Sequence, residues 1–228
     1  MQKTINQPIQ ANNPEITQPA RLELRRVACI FGQTRVVNEV DLCLEPGEHV
    51  ALVGSNGSGK TTLLRAILGL HPLAGGQILV DNADASTPLT WQERRKRIAW
   101  MPQRQSTGQF PLLVRELLDS SLAPNQAFSA ARDLGLNELL ERPLHALSGG
   151  QLQRVYLARA LGSLAGGAGL LLADEPTAAL DFDGQVKVAE VLRNLAATVL
   201  VVTHDRAMAE RSHRVVEMAG GQLREAAR

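Results

Sequence analysis

The amino-acid sequence predicts an α/β fold, in which a mostly parallel, doubly wound sheet carries antiparallel strands at its N-terminal end and an inserted helical subdomain. Three observations support this prediction. An apolar segment at 49–53 runs into a glycine-rich loop, and helical apolar spacing follows from 60 to 68. Apolar residues then recur at helical spacing over 111–147 without any strand signal. From 148 onward, helical and strand patterns alternate again.

The N-terminal half is predicted to contain a disordered tail, strands and two helices. Residues 1–20 are polar, contain prolines and lack the apolar segment of a signal peptide, so we expect a disordered tail there. A loop at Phe31 and Gly32 is expected to join the first two strands. The predicted strands are 22–27, 36–44, 49–53, 77–80 and 98–101, and the predicted helices are 60–68 and 90–96.

The C-terminal half is predicted to contain the helical insertion and then alternating elements. With the helix expected at 148–162, the insertion forms a helical subdomain at about 111–162, inside one domain that spans 21–228. The remaining predicted elements are strands at 169–173 and 198–202, a helix at 184–195, and a small hairpin formed by 214–218 and 222–224.

Composition excludes several classes of function. The net charge of +1 gives no overall field that attracts nucleic acid or anionic lipid, and an aromatic content of 3% argues against stacking platforms for single strands. No apolar run approaches the roughly 20 residues that cross a bilayer. We therefore expect a soluble chain without a nucleic-acid partner. The basic run at 94–97 is interpreted as a solvated helix face, and Cys29 and Cys43 as inert thiols in a reducing cytosol.

The glycine-rich loop matches the phosphate-binding pattern G-x-x-x-x-G-K-[ST]. Its glycines allow backbone N–H groups to turn towards phosphates, and the helix that begins at Lys60 points its positive end at the same anions. Lys60 supplies positive charge to the β- and γ-phosphates, and the Thr61 hydroxyl is placed to bind Mg²⁺. No base-reading motif of guanine switches is present, so ATP is favoured. The predicted binding residues are Gly54, Ser55, Asn56, Gly57, Ser58, Gly59, Lys60, Thr61 and Thr62.

Two carboxylates, Asp174 and Glu175, end the apolar run GLLLADEP. Beside a phosphate loop, carboxylates at the end of a buried strand indicate phosphoryl-transfer chemistry. Asp174 is predicted to hold Mg²⁺, and Glu175 to polarise the attacking water.

The stretch LSGGQ at 147–151 is predicted to form a second anion-binding site. Ser148 and two glycines open a helix there, so a hydroxyl and free N–H groups face outward at its positive end. A single domain has no need for two γ-phosphate sites, whereas two copies arranged head to tail would each complete the other's site. The sequence therefore predicts a homodimer. The residues of this second site are Ser148, Gly149, Gly150 and Gln151.

From residue 22 almost to its end, the chain resembles the ATP-binding subunit of an ABC transporter, a member of the P-loop NTPases. It carries that family's motifs in order, namely Phe31, the phosphate loop, Gln103, LSGGQ, LADEP at 172–176, AALD at 178–181 and His204. The resemblance implies that ATP and Mg²⁺ are the ligands and that ATP hydrolysis is coupled to transport.

The resemblance also implies roles for residues outside the phosphate loop. Phe31, where the family more often has tyrosine, would stack on adenine. Gln103 would contact Mg²⁺ and the attacking water, and would link the site to the helical subdomain. His204 would contact the γ-phosphate and orient Glu175, so that both act in catalysis with Gln103 and Lys60. Asp181 would reach across the dimer interface.

Within the family, the chain looks most like the ATPases of zinc and manganese importers, because of QFPLLVREL in the insertion and DFDGQ after the AALD motif. The implied partners are transmembrane permease subunits and, indirectly, a solute-binding protein. The implied location is the cytoplasmic face of the cell membrane, through the permease. Importers of heme, siderophores or other solutes stay open as alternatives. A soluble ATPase of this type acting on ribosomes or DNA is a rival, but such proteins typically have two ATPase cores or a long coiled-coil insertion, and neither fits in 228 residues. A regulator that binds ATP without hydrolysis is a second rival, and the presence of Glu175 and His204 argues against it.

Overall fold

The computed structural model describes residues 18–85, 87–103 and 111–226. The tail predicted at 1–17 and the first residues of QFPLLVREL, Gln109 and Phe110, lie outside these ranges. Ordered chain begins earlier than predicted. Ala20 is fully buried, its N–H donates to the Gly169 carbonyl, and its own carbonyl accepts a hydrogen bond of 2.6 Å from Thr198 Oγ1. The predicted tail boundary at residue 20 is therefore wrong, because backbone pairing holds this segment against the core.

The described residues contain a six-stranded sheet, and the predicted phosphate loop follows one of its strands, β3. Its order is β10-β9-β3-β8-β7-β6, and all neighbouring pairs are parallel except the last hairpin, β9 with β10. Strands β3, β7 and β8 are almost completely buried, as expected for parallel strands covered on both faces. The strands are β3 (His49–Val53), β6 (Ile98–Met101), β7 (Leu170–Asp174), β8 (Thr198–Val202), β9 (Arg214–Ala219) and β10 (Gln222–Glu225).

A smaller antiparallel sheet packs beside it in the order β2-β1-β4-β5. Strand β1 continues to Phe31, so Phe31 ends a strand rather than lying in a loop. The prediction stopped at residue 27 because the pairing with β2 shifts register around Arg26, whose φ of 44° disturbs the alternation of buried and exposed residues. The strands are β1 (Leu22–Phe31), β2 (Thr34–Leu44), β4 (Gly75–Val80) and β5 (Ala83–Asp84).

Four of the seven helices in the described part of the chain begin at a residue whose side chain caps them. Ser148 and Asp181 lie just outside the helices that follow them and accept hydrogen bonds from the N–H groups of Gln151 and Gly184. The last helix, which Asp205 caps, was not predicted because it is only five residues long. The helices are α1 (Lys60–Ile67), α2 (Pro88–Lys96), α3 (Val114–Asp119), α4 (Pro124–Asp133), α5 (Gly149–Ala165), α6 (Phe182–Arg193) and α7 (Arg206–Glu210).

The described part of the predicted insertion contains helices joined by turns, with one isolated β-bridge between Leu113 and Pro143. It consists of α3, α4 and two short 3₁₀ turns, Asn137–Leu139 and Leu144–Ala146, packed on the long helix α5. Apolar side chains of α3, α4 and α5 belong to the same buried cluster as those of β7 and α6, so the subdomain shares a core with the large sheet. A second cluster lies between the two sheets and α1. No helix among the described residues is long and apolar enough to cross a membrane.

The basic run at 94–97 is partly structural. Arg94 is only 5% exposed, its guanidinium donates to the Ile78 carbonyl, and it lies 4.6 Å from the ring centroid of Trp91. Arg97 pairs with Asp81 at 2.8 Å and donates to the Gly167 carbonyl. The interpretation of the run as a solvated face is therefore wrong for these two arginines, which tie α2 to neighbouring strands and loops.

The two cysteines are free thiols on neighbouring strands. Cys29 on β1 is fully buried, and burial raises its pKa to about 11. Cys43 on β2 is half-buried, and burial also raises its pKa. Since the thiolate is the reactive form, both thiols are poorly reactive at neutral pH.

A pair of histidines at the start of β3 and β9 predicts acid sensitivity of the fold. The backbone N–H of His49 donates to His213 Nδ1 at 3.1 Å, and the centroids of the two rings lie 5.1 Å apart. Burial lowers the pKa of His49 below its usual value of 6.5, and the proximity of His213 adds to this shift. The unfolded chain therefore binds a proton that the folded chain resists, so stability is complete above about pH 6.5 and falls as the pH is lowered further.

We expect the free energy of unfolding in urea to fall between pH 7 and pH 5, by at most about 1.4 kcal/mol per pH unit from His49. His49 Nε2 lies 3.1 Å from the Leu195 carbonyl and 3.2 Å from the Ala197 carbonyl. His49→Gln, whose amide can still donate to these carbonyls, should have a free energy of unfolding that depends less steeply on pH over this range. The comparison of the two pH profiles checks the assignment. Equal slopes in both proteins would contradict it.

Candidate nucleotide-binding site

The loop between β3 and α1 forms a concave backbone turn that requires glycine. Gly54, Gly57 and Gly59 have positive φ angles of 143°, 79° and 109°. A Cβ atom at Gly54 would lie 2.2 Å from the Met218 carbonyl oxygen, and one at Gly59 would lie 2.3 Å from that of Val36. Packing of the loop against β9 and β2 therefore fixes its shape.

Lys60 opens α1 and turns its side chain back over the loop. Its Nζ donates to the carbonyls of Gly54 and Ser55, each at 2.8 Å, and lies 3.5 Å from Ser58 Oγ. Burial lowers the pKa of Lys60, and the carboxylates of Glu175 and Asp174 oppose this shift. The loop thus holds a cation at the N-terminal end of a helix, where an anion is stabilised.

Thr61 and Asp174 bring two oxygen atoms together beside this cation. The Thr61 hydroxyl donates to Oδ2 of Asp174, the last residue of β7, at 2.9 Å. Asp174 is 2% exposed, and burial raises its pKa while the Thr61 hydrogen bond and the charge of Lys60 lower it. Hydroxyl and carboxylate oxygens are ligands that Mg²⁺ prefers, so this pair fits the Mg²⁺ that the sequence predicts here.

Glu175 follows Asp174 in a left-handed conformation, with φ of 52°. Its N–H donates to the Val202 carbonyl at 2.9 Å. One carboxylate oxygen accepts a hydrogen bond from the backbone N–H of His204 at 3.3 Å, and the other lies 3.1 Å from the ring nitrogen Nε2 of His204. Burial raises the pKa of Glu175, and the positive charge of a protonated His204 would lower it. The turn after β7 therefore aims a partly desolvated carboxylate at the loop, with an imidazole beside it.

These residues line one open cavity of about 410 Å³. Phe31 stands at its edge, 68% exposed, with its ring stacked on that of His71 at 6.5 Å between centroids. Val36 and Val202 also line the cavity, although no sequence motif indicates them. The predicted site residues that line it are Phe31, Asn56, Gly57, Gly59, Lys60, Thr61, Thr62, Gln103, Asp174, Glu175 and His204.

The remaining predicted residues outside the loop form a second cluster, which we define as Ser148–Gln151 with 178–181. A Cβ atom at Gly149 or Gly150 would lie 3.0 Å from Ala179, so the start of α5 packs against the turn before α6. Ser148 and Gln151 exchange hydrogen bonds at 3.2 and 2.9 Å, and the Asp181 carboxylate caps α6. None of these residues lines the cavity. Within one chain, the second cluster is therefore separate from the phosphate loop.

The family profile described as "ABC transporter" matches residues 37–178. The chain is 38% identical over 195 residues to the zinc import ATP-binding protein ZnuC of Pseudomonas aeruginosa (strain UCBPP-PA14), an alignment that covers 82% of this chain and 66% of that protein. The chain thus spans slightly less than two thirds of this relative's length. It is also 38% identical over 205 residues to the hemin import ATP-binding protein HmuV of Rhodopseudomonas palustris (strain CGA009), with 82% of this chain and 75% of the relative covered.

Solved structures agree with the fold. The dimeric structure of a bacterial ABC transporter cassette is 27% identical and superposes with a TM-score of 0.78, over 91% of this chain and 99% of that chain. The predicted mixed α/β architecture, with its antiparallel sheet and parallel core, is confirmed.

Proposed function

The chain belongs to the ABC transporter family of ATPases, and from this premise we propose that it hydrolyses ATP as a dimer to power a membrane importer. One observation carries the proposal. Glu175 and His204 lie in the same cavity as the phosphate loop, within 3.3 Å of each other. A carboxylate and an imidazole placed beside a phosphate cradle are suited to hydrolysis, which a regulator that only binds ATP does not need.

In this proposal the cavity binds ATP with Mg²⁺. The phosphates rest on the N–H groups of the glycine loop, with Lys60 opposite the β- and γ-phosphates. Thr61 and Asp174 would hold Mg²⁺, and Gln103 would add a further oxygen ligand. Bound there, Mg²⁺ neutralises charge on the phosphates. Phe31 offers an exposed ring on which adenine can stack.

Hydrolysis requires a water molecule aligned with the γ-phosphate. Glu175 would accept a hydrogen bond from this water and polarise it, since its backbone fixes the direction of the carboxylate. His204 would hold Glu175 through the two contacts described above and donate to the γ-phosphate. Lys60 stabilises the negative charge that the transferred phosphoryl group carries.

The second cluster supports a composite site. Ser148 and Gly149 are exposed at the N-terminal end of the 17-residue helix α5, yet the cavity of the same chain does not include them. In a head-to-tail dimer, the second cluster of one copy would cover the nucleotide in the cavity of the other, with Asp181 at the interface. The dimeric solved cassette is consistent with this arrangement.

We assign the coupling of hydrolysis to transport to the helical subdomain. Gln103 precedes the predicted insertion at 111–147 and Ser148 follows it, so both ends of this segment adjoin residues that contact nucleotide in the proposal. Its surface would meet transmembrane permease subunits at the cytoplasmic face of the membrane. A solute-binding protein would act through that permease.

For the cargo, we propose a divalent transition metal, with zinc before manganese. The support is similarity to ZnuC, a zinc import ATP-binding protein, together with the sequence features QFPLLVREL and DFDGQ. The comparable identity to the hemin import protein HmuV makes heme the second candidate. The ATPase would contact the permease rather than the solute, so cargo binding is assigned to the partners.

Deletion of the gene tests the cargo. The mutant should grow poorly in medium with a zinc chelator, and added zinc, or manganese under manganese limitation, should restore growth. A plasmid that encodes the Glu175→Gln variant is the matched control and should not restore it. Normal growth of the mutant under both metal limitations would contradict the metal assignment. A growth defect that is seen solely in medium with hemin as the iron source would favour heme as the cargo.

A further inference from the structure

Gln153 is a buried polar residue of α5 that belongs to none of the predicted site motifs. It is 3% exposed and lies one turn inside the helix that the second cluster begins. Its side-chain amide lies between the backbone of Glu175, which follows β7, and that of Gln103, two residues after β6. A buried amide in such a position requires hydrogen-bond partners.

Both partners are backbone carbonyls of residues in the proposed site. Gln153 Nε2 lies 3.2 Å from the Glu175 carbonyl oxygen and 3.4 Å from the Gln103 carbonyl oxygen. The Oε1 atom of Gln153 has no hydrogen-bond partner among the described residues. The amide is thus held by its two N–H donors alone. It connects α5 to the general base and to the segment that leads into the helical subdomain.

The contact with Glu175 constrains a backbone that is otherwise unfavourable. A non-glycine residue with φ of 52° carries a conformational cost, and it keeps this geometry only where its surroundings enforce it. The backbone N–H of Glu175 donates to the Val202 carbonyl, and the Glu175 carbonyl accepts hydrogen bonds from Gln153 Nε2 at 3.2 Å and from the Ala178 N–H at 3.3 Å. These hydrogen bonds hold the peptide groups on either side of the Cα atom, and Gln153 supplies the side-chain donor among them, so it contributes to where the carboxylate points.

We propose that Gln153 is a positioning residue, which aligns Glu175 for hydrolysis and ties the position of α5 to the catalytic carboxylate and to Gln103. Because α5 also begins with the second cluster, a movement of α5 on nucleotide binding would reach the Glu175 carbonyl through this side chain. The inference rests on the proposed hydrolysis of ATP.

Gln153→Met keeps the length of the side chain and removes both donors. We expect kcat for ATP hydrolysis to fall by about tenfold, as for the loss of hydrogen bonds of ordinary strength. The KM for ATP should change by less than about twofold, because Gln153 does not touch the phosphate loop. Gln153→His, which places one N–H near the position of Nε2, should give a kcat between those of Gln153→Met and the wild type.

Tyr156→Phe is the matched control on the same helix. Tyr156 is 1% exposed and its hydroxyl has no hydrogen-bond partner among the described residues, so kcat should be unchanged. Binding of a fluorescent ATP analogue and the unfolding temperature are measured for every variant.

Two results would overturn the assignment of Gln153, namely an unchanged kcat in Gln153→Met, or a loss of ATP affinity and unfolding temperature that accounts for the fall in kcat. An inactive wild-type protein would instead contradict the proposed ATPase function, and with it the inference that depends on it.

Discussion

Glu175→Gln is expected to lower ATP turnover by about 10²- to 10⁴-fold while ATP binding is retained. The glutamine side chain has the same length, and its amide can still accept the His204 N–H and donate to His204 Nε2, so the turn after β7 should keep its conformation. The glutamine side chain lacks the negative charge with which Glu175 would polarise the attacking water. Phosphate release under saturating ATP, together with equilibrium binding of ATP, measures the two effects separately.

Glu190→Gln is the control for this experiment, since Glu190 is an exposed carboxylate on α6 outside the cavity. It should hydrolyse ATP at the wild-type rate. Turnover of Glu175→Gln within a factor of a few of the wild type would show that another group acts as the base, and the proposed role of Glu175 would be abandoned.

Gly59→Ala is expected to weaken ATP binding by at least about a hundredfold, which corresponds to about 3 kcal/mol. Gly59 has φ of 109°, and a Cβ atom there would lie 2.3 Å from the Val36 carbonyl oxygen and 2.9 Å from Met218 Cε. Since one of these contacts is backbone, it cannot be relieved by a side-chain rotation. The loop would have to move away from β2, and its N–H groups would no longer converge on the phosphates. Isothermal titration with ATP measures the loss.

Gly220→Ala separates the effect of the clash from that of backbone strain. Gly220 also has a positive φ, of 55°, but a Cβ atom there would meet nothing within 4 Å, and the residue lies outside the cavity. We expect this variant to lose about 1 kcal/mol of stability and to bind ATP normally. If Gly59→Ala bound ATP as tightly as Gly220→Ala does, the loop would not be the phosphate cradle.

The sequence alone predicts most of the large sheet and the helices of the insertion. Apolar runs such as Leu170–Asp174 are unambiguous because parallel strands are buried on both faces. The small sheet was harder to predict. The bulge at Arg26 interrupts the alternation along β1, and β5 has only two residues. Long-range backbone pairing likewise orders Ala20, which no local pattern reveals.

The site could be predicted where its chemistry depends on local motifs. The phosphate loop, Asp174 and Glu175 are contiguous stretches, whereas the convergence of His204 on Glu175 depends on how β8 lies beside β7. The role proposed for Gln153 could not be read from its position, because its partners are main-chain carbonyls 22 and 50 residues away. Because every residue has a backbone carbonyl, the residue type of an accepting residue does not indicate such a contact.

The measurement that tests the composite-site proposal most directly is the mass of the Glu175→Gln protein with and without Mg²⁺ and ATP, by light scattering after gel filtration. The chain has a mass of 24.6 kDa. We expect the Glu175→Gln protein to have twice that mass with ATP and the mass of a single chain with ADP. Adding Ser148→Arg to the same protein should prevent the doubling of the mass with ATP. A single mass in ATP for Glu175→Gln, with a wild-type protein that hydrolyses ATP as a monomer, would contradict the composite-site proposal.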